Sequence, residues 1–261
     1  MEESTAIEQR GDDPFRLDGR VALVTGGTRG IGRAIAREMA LRGARVVVAS
    51  RKDEACAATA AELNEQGFEA LGVPCHMGST TDIANLVRVG HDWFGALDIV
   101  VNNAANALAL PVGSFTEDAL QKSFEVNLKG PVLLIQEALP HLEASPAASV
   151  INVVSAGAWL FSANVAMYAA AKAAMVSYTK SMAAALAPKA IRVNALAPGS
   201  VDTDMLRNTG PEAMKGMAAA CLLRRVATPE EIAAPAVFLA SDASSYMTGA
   251  VLHVDGGLVT R

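Results

Sequence analysis

Three side chains in the segment 155–172 have the types and the spacing for proton transfer. Tyr168 and Lys172 stand four residues apart in an alanine-rich stretch, and Ser155 precedes the tyrosine by thirteen residues. Residues i and i+4 share one face of a helix, so we expect the phenol and the ammonium side by side. A free phenol has a pKa of about 10, which a neighbouring positive charge lowers. The trio predicts an acid–base site, although a surface tyrosine and a solvated lysine would show the same spacing.

Regular elements must hold such a site, and the sequence alternates strands with helices from Gly19 onward. Short runs of Val, Ile and Leu predict strands buried on both faces, each followed by a longer amphipathic stretch. The expected strands are 21–26, 45–50, 69–75, 97–104, 149–155, 191–198 and 251–257, and the expected helices are 31–43, 53–67, 80–94, 117–142, 165–187 and 229–240. This order predicts an α/β protein with a single-domain Rossmann fold, a doubly wound parallel sheet of about seven strands with helices on both faces.

The amino-terminal segment differs in composition from the rest of the chain. Residues 1–17 carry five acidic side chains against two arginines, and they lack the apolar and basic regions of a signal peptide. We expect 1–17 to be a mobile polar tail. No linker-like stretch divides residues 18–261, so we expect one Rossmann-type catalytic domain there.

Composition excludes several classes of function. The formal net charge is -5 and the sequence pI is about 5.4, so no global field favours nucleic acid or an anionic membrane. No apolar run approaches the ~18 residues that a membrane span needs. The three cysteines lack C-x-x-C spacing and the four histidines form no cluster. We therefore expect no metal site, and we expect a cytoplasmic location.

A glycine-rich loop, TGGTRGIG at residues 25–32, follows the first expected strand and begins the first expected helix. Gly26 permits a tight turn there, Gly30 lets backbone approach a pyrophosphate, and Gly32 lets the helix pack against the strand. Free N–H groups at a helix start suit phosphate, so the loop predicts a dinucleotide site rather than a purely geometric turn. The loop positions expected to contact the cofactor are Gly26, Thr28, Arg29, Gly30, Ile31 and Gly32.

The end of the second strand indicates which dinucleotide binds. An NAD site usually has an acidic side chain about 20 residues after the glycines, where it binds the ribose hydroxyls. Here Ser50 and Arg51 occupy that place, and Arg29 lies in the glycine loop. A hydroxyl and two guanidinium groups suit the 2′-phosphate of NADP(H). The sequence thus favours NADP(H), the alternatives being NAD(H) and a solvated Arg51.

Motifs in a fixed order resemble those of the short-chain dehydrogenase/reductase family, of the classical type, along nearly all of residues 18–258. They are TGxxxGIG at 25–32, NNA at 102–104, Asn127 in EVNLKG, Ser155, Tyr168-x-x-x-Lys172 and PGSVDT at 198–203. The resemblance implies a catalytic tetrad. In it, Asn127 anchors a water in a proton relay and Ser155 polarises the substrate. Tyr168 is the acid/base, and Lys172 binds the nicotinamide ribose and lowers the tyrosine pKa.

The same resemblance implies further contacts with the cofactor. These positions are Met77, Asn103, Ala104, Ala105, Tyr168, Lys172, Pro198, Gly199, Val201 and Thr203. Two positions depart from the family pattern. Ala105 replaces the usual glycine after NNA, and His76 replaces a common aspartate that touches adenine. The histidine either stacks on adenine or points to solvent, whereas the backbone of Met77 still offers a contact.

Apolar residues after the expected strand ends predict a pocket for a hydrophobic ketone, aldehyde or alcohol. They are Leu108, Leu110, Trp159, Leu160, Phe161, Met205, Leu206, Met214 and Met217. Methionines let such a pocket adapt its shape. The alternative is that several of these side chains pack between subunits, since the resemblance also implies a homotetramer.

Other activities compete with a carbonyl reductase. A 3-oxoacyl-[acyl-carrier-protein] reductase would need a basic docking patch, yet residues 141–149 hold no Lys or Arg and Lys189 is the only cation expected nearby. A sugar-nucleotide epimerase would have a different glycine spacing and a longer chain. A non-catalytic NADP-binding regulator would usually lack a member of the tetrad, and all four are present.

Overall fold

A single seven-stranded parallel sheet forms the centre of the protein. The computed structural model describes residues 13–161 and 164–259. The strands are β1 (Val21–Thr25), β2 (Arg45–Ser50), β3 (Ala70–Pro74), β4 (Ile99–Asn102), β5 (Ser149–Val153), β6 (Arg192–Pro198) and β7 (Val251–Val254). Their order across the sheet is β3-β2-β1-β4-β5-β6-β7. The order reverses between β1 and β4, which is where open α/β sheets bind ligands.

Helices cover both faces of this sheet. They are α1 (Gly30–Leu41), α2 (Asp53–Glu65), α3 (Thr80–Phe94), α4 (Glu117–Phe124), α5 (Gly130–Ala144), α6 (Ala166–Leu186), α7 (Asp204–Arg207), α8 (Pro211–Ala220) and α9 (Glu230–Ala240). One face packs on α1, α2 and α9, and the other packs on α3, α5 and α6. The doubly wound, single-domain Rossmann fold predicted from the sequence is confirmed.

The expected long helix over 117–142 is confirmed as a continuous helical stretch over 117–144, but it is not α-helical throughout. Residues Glu125–Lys129 form a wider π-helical turn between α4 and α5. A π turn holds an extra residue and often marks a functional site. This one carries Asn127, whose side chain is fully buried.

The predicted tail extends too far along the chain. Leu17 is fully buried in the core, and its N–H donates to Arg42 O at 2.8 Å. Phe15 packs against Phe238 of α9, with ring centres 6.3 Å apart. Residues 13–17 therefore belong to the folded domain, because apolar burial outweighs the polar composition around them. Residues 1–12 lie outside the described residues.

Two short helices, α7 and α8, lie in a segment to which the sequence assigned no helix. They follow β6 and carry four of the residues expected at the substrate pocket. Among the helices described, none is both long enough and apolar enough to cross a bilayer.

Candidate active site

The glycine loop leaves no room for side chains at its centre. Gly26 and Gly30 have φ angles of +65° and +51°, in the left-handed region that favours glycine. A Cβ on Gly32 would lie 2.2 Å from Gly26 O and 2.4 Å from Asn103 Nδ2. The start of α1 is therefore pressed against the ends of β1 and β4. Such an open backbone cradle at a helix start fits the diphosphate of a dinucleotide.

Thr25 fastens the end of β4 to this loop. Its Oγ1 accepts hydrogen bonds from Asn103 N (3.0 Å) and Ala104 N (3.1 Å), and it donates to Val101 O (3.2 Å). Asn103 Nδ2 in turn donates to Thr25 O (2.8 Å) and Gly26 O (3.3 Å). The role of Thr25 was missed from the sequence, although its place directly before the first glycine of the motif is a usable signal.

The adenosine end of the predicted site carries two unpaired arginines. Arg29 and Arg51 are exposed and follow the ends of neighbouring strands. Within the described part of the chain, neither guanidinium forms a hydrogen bond or an ion pair. Ser50 Oγ lies 3.2 Å from Cys56 Sγ, so a buried thiol holds the hydroxyl in place. Free guanidinium groups beside a fixed hydroxyl suit an anionic group.

The predicted acid–base residues meet at the carboxyl end of β5. Ser155 Oγ accepts a hydrogen bond from Gly157 N (3.1 Å), and the Ser155 hydroxyl directs its proton to the phenol of Tyr168. Lys172 Nζ lies 5.6 Å from the centre of the Tyr168 ring and donates to Val153 O at 2.8 Å. Only 3% of Lys172 is exposed. The lysine is therefore not a solvated surface group.

Burial changes the protonation of both groups. Burial raises the pKa of Tyr168 above its usual value, and the hydrogen bond from Ser155 acts in the opposite direction. Burial also lowers the pKa of Lys172 to about 8. Loss of water around the phenol has a larger effect on its pKa than the hydrogen bond from Ser155, and the lowering of this pKa by Lys172 stays a prediction.

Asn127 holds the loop that follows β4. Its Nδ2 donates to Asn106 O (2.8 Å) and Ser123 O (2.9 Å), and its Oδ1 accepts from Asn106 N (3.0 Å). The two amide protons are both used, so the side chain has none left to donate to a water. The structure thus places Asn127 close to the catalytic edge, but gives its amide a loop-holding role. Asn106 was missed from the sequence, and its spacing offers no signal.

The other expected cofactor contacts line the same edge of the sheet. Thr203 faces Gly30, since a Cβ on this glycine would lie 3.1 Å from Thr203 Cγ2. Gly199 packs so closely on Asp255 that a Cβ would lie 2.7 Å from its Cα. Of the remaining expected contact residues, the buried ones are Met77, Pro198 and Val201. The partly exposed ones are Thr28, Ile31, Ala104 and Ala105.

His76, which replaces an expected aspartate, is exposed. Its ring Nδ1 accepts a hydrogen bond from Gly78 N at 3.1 Å, and its backbone N–H donates to Asp82 Oδ2 at 2.9 Å. The imidazole is therefore tied to the turn between β3 and α3. Among the described residues, no group of three or more His, Cys, Asp or Glu side chains is placed to hold a metal ion.

Of the nine residues expected at the substrate pocket, four are exposed and five are half-buried. Trp159, Leu160 and Met205 are exposed, and Phe161 is fully so. Trp159 packs on His253 of β7, with ring centres 4.5 Å apart. Those that are half-buried are Leu108, Leu110, Leu206, Met214 and Met217.

Comparison with known proteins gives matches along almost the whole chain. Residues 26–259 match the family model described as "Enoyl-(Acyl carrier protein) reductase". The protein "Short-chain dehydrogenase/reductase SDRA" of Arabidopsis thaliana is 41% identical over 251 residues, which are 95% of this chain and 98% of that protein.

Solved structures agree with the sequence matches. A blue fluorescent protein from a metagenomic library, in complex with NADPH, is 32% identical with a TM-score of 0.89, covering 94% of this chain and 100% of that one. A short chain dehydrogenase from Burkholderia cenocepacia J2315, in complex with NADP, is 32% identical with a TM-score of 0.89, covering 93% and 99%. These relatives contain the NADP(H) that the sequence analysis expects.

Together the reversed strand order, the glycine cradle and the Ser–Tyr–Lys group define a nicotinamide-dependent oxidoreductase of the Rossmann type. The family model covers most of the chain, and the relatives exceed 30% identity along nearly its full length. The chain belongs to the short-chain dehydrogenase/reductase family.

Proposed function

We propose that the protein is an NADP(H)-dependent carbonyl reductase or alcohol dehydrogenase with a hydrophobic substrate and with Tyr168 as acid/base. The observation that carries this proposal is the contact of the Tyr168 phenol with Ser155, beside the ammonium of Lys172, at the sheet edge that also bears the glycine cradle. A hydroxyl donor, a phenol and a cation at one point suit the oxygen of a ketone or secondary alcohol.

The chain's own residues move one proton in the reaction. The bound nicotinamide supplies or removes a hydride at the carbon. In reduction, the Ser155 hydroxyl turns from the phenol and donates its hydrogen bond to the carbonyl oxygen. Tyr168 O–H gives its proton to that oxygen as the C–O double bond becomes single. The resulting phenolate is stabilised by Lys172, which is mostly protonated at pH 7 with a pKa of about 8. In oxidation, the phenolate takes the proton back from the alcohol.

The proposed preference for NADP(H) is supported by the free guanidinium groups. Arg29 and Arg51 are exposed and have no acidic partner in the described chain, and no carboxylate stands at the end of β2. The solved relatives that contain NADP or NADPH also support it. Fluorescence titration with NADPH and with NADH tests the preference, and tighter binding of NADH would contradict it.

The proposed substrate class is supported by the apolar side chains around the catalytic edge. Trp159, Leu160 and Phe161 follow Ser155 directly and expose apolar surface, which suits a hydrophobic ketone, aldehyde or alcohol. A 3-oxoacyl-[acyl-carrier-protein] reductase is the second candidate. It is disfavoured because Lys189, the one cation expected near its docking face, forms an ion pair with Glu143.

A single-atom substitution tests the proposed chemistry. Tyr168→Phe removes only the phenolic oxygen, so we expect loss of turnover on hydrophobic ketones with NADPH while NADPH still binds. Tyr246→Phe is the matched control, because Tyr246 is fully exposed and should retain normal activity. Normal turnover by Tyr168→Phe would refute the mechanism. A panel of ketones, aldehydes and acyl thioesters then separates the two candidate substrate classes.

The proposal also includes assembly into a homotetramer. The edge strand β7 is apolar at three of its four positions, and all four are only half-buried in the isolated chain, which suits a partner subunit. Light scattering at the enzyme's working concentration measures the assembly. The cytoplasmic location stays a prediction from the sequence.

A further inference from the structure

A chain of buried polar side chains connects the catalytic helix to the centre of the sheet. Asn102 Nδ2 donates to Asn152 Oδ1 at 2.9 Å, and Asn152 Nδ2 donates to Thr179 Oγ1 at 2.9 Å. Thr179 Oγ1 donates to Met175 O at 2.7 Å. The three side chains are 3%, 1% and 0% exposed. The proposed reaction assigns them no role.

In this series of side chains, the acceptor at one end, Met175 O, fixes the direction of every hydrogen bond. A carbonyl oxygen only accepts, so the Thr179 hydroxyl spends its proton on Met175 O and must accept from Asn152. The oxygen of Asn152 then faces Asn102, which must donate. Each amide has one orientation that satisfies the chain, so these residues hold a unique arrangement.

The hydrogen-bonded series from Asn102 to Thr179 is the second of two links that fix α6 to β5. The first link is Lys172 Nζ, which donates to Val153 O at 2.8 Å. Thr179 lies seven residues after Lys172, on the same face of α6 and about 10 Å further along it. Asn152 and Val153 are consecutive residues of β5, the strand that leads to Ser155.

We propose that Asn152 and Thr179 are positioning residues. They set where α6 lies along its own axis and how it is rotated against the sheet, and thereby align Tyr168 with Ser155. The inference rests on the proposed acid–base role of Tyr168. Without the Thr179 hydroxyl, the Nδ2 group of Asn152 would be buried without a partner, which an inward or sliding shift of α6 would relieve. The phenol sits at the start of the same helix, so this shift moves it relative to Ser155.

Three substitutions test this alignment. Thr179→Val keeps the shape of the side chain and removes the hydroxyl, and Thr179→Ser keeps the hydroxyl. Thr59→Val is the matched control, because Thr59 Oγ1 makes the same kind of bond to Ala55 O (2.8 Å) within α2 and is also buried. For each variant, kcat and KM for a ketone and the dissociation constant of NADPH are measured on folded protein.

We expect Thr179→Val to lower kcat about 10- to 100-fold, as small misplacements of reacting groups do, with an unchanged dissociation constant for NADPH. Thr179→Ser should restore kcat, and Thr59→Val should leave it unchanged. If Thr179→Val does not fold, Thr179→Ala provides the same comparison.

Normal kcat in Thr179→Val, an equal loss in Thr59→Val, or no rescue by Thr179→Ser would each overturn the inference. Failure of the proposed function is a separate result. An active Tyr168→Phe refutes the acid–base role, and the inference with it. An inactive Tyr168→Phe beside a fully active Thr179→Val refutes the inference alone.

Discussion

Replacing Gly32 with alanine should separate the cofactor loop from the helix that follows it. The added Cβ would lie 2.2 Å from Gly26 O and 2.4 Å from Asn103 Nδ2, which is about 1 Å short of ordinary contact. Both neighbours are held in place, one as backbone and the other by hydrogen bonds to Thr25 O and Gly26 O. Moving either atom away from the added Cβ would therefore cost free energy.

The cost follows from these contacts. Forcing a methyl group into a packed site costs about 1–3 kcal/mol, and loss of the two Asn103 hydrogen bonds adds about 1 kcal/mol each. We therefore expect Gly32→Ala to lose about 3–5 kcal/mol of unfolding free energy, a fall of roughly 6–20 °C in Tm for a chain of this size. We also expect NADPH binding to weaken, because the cradle must open.

Thermal unfolding and fluorescence titration with NADPH measure both effects. The control is Gly216→Ala in α8, where a Cβ would meet nothing within 4 Å and where alanine favours the helix. We expect this control to be as stable as the natural protein or slightly more stable. A Gly32→Ala protein with natural Tm and natural NADPH affinity would refute the close approach that we describe.

Three further substitutions test other parts of the site. Arg51→Asp should weaken NADPH binding about 10- to 100-fold and improve NADH binding, since charged hydrogen bonds contribute about 1.5–3 kcal/mol each; equal loss for both cofactors in a titration would count against the assignment. Lys172→Met should abolish a pH dependence of stability. Burial lowers the pKa of Lys172 from 10.5 to about 8, so the unfolded chain binds more protons between these values and stability rises with pH by up to about 3 kcal/mol. Urea denaturation at pH 7 and at pH 9.5 measures this rise, and parallel changes in variant and natural protein would contradict it. Trp159→Ala should raise KM for bulky ketones about 10-fold without changing NADPH affinity. The control is Trp93→Ala, because Trp93 is exposed and lies in α3, away from the site. An equal rise in KM for both variants in steady-state kinetics would contradict the prediction.

Local patterns predict the strands and most helices because the physics there is local. Uninterrupted runs such as Val46–Val48 read directly as strands buried on both faces, and they lie in the sheet as expected. The i, i+4 spacing of Tyr168 and Lys172 likewise needs only a helix to bring them together.

Features that depend on distant partners could not be predicted in this way. Leu17 is buried because it joins the core cluster that also contains residues of α1 and α9, and the polar composition around Leu17 gives no sign of this. The pKa of Tyr168 depends on how much water surrounds the phenol, and the spacing of residues in the sequence does not indicate that amount. The chain from Asn102 to Thr179 joins residues 77 positions apart, so only the folded structure reveals it.

The π-helical turn at Glu125–Lys129 couples the length of a helix to the loop beside the catalytic edge. A wide turn in an otherwise continuous helix has the length of one inserted residue. We expect the deletion of one residue there to leave α4 and α5 in phase with each other and the fold intact. Yet Asn127 then turns away from Asn106 and releases the loop after β4. The length of this helix, to a single residue, therefore decides whether the loop beside the catalytic edge is held.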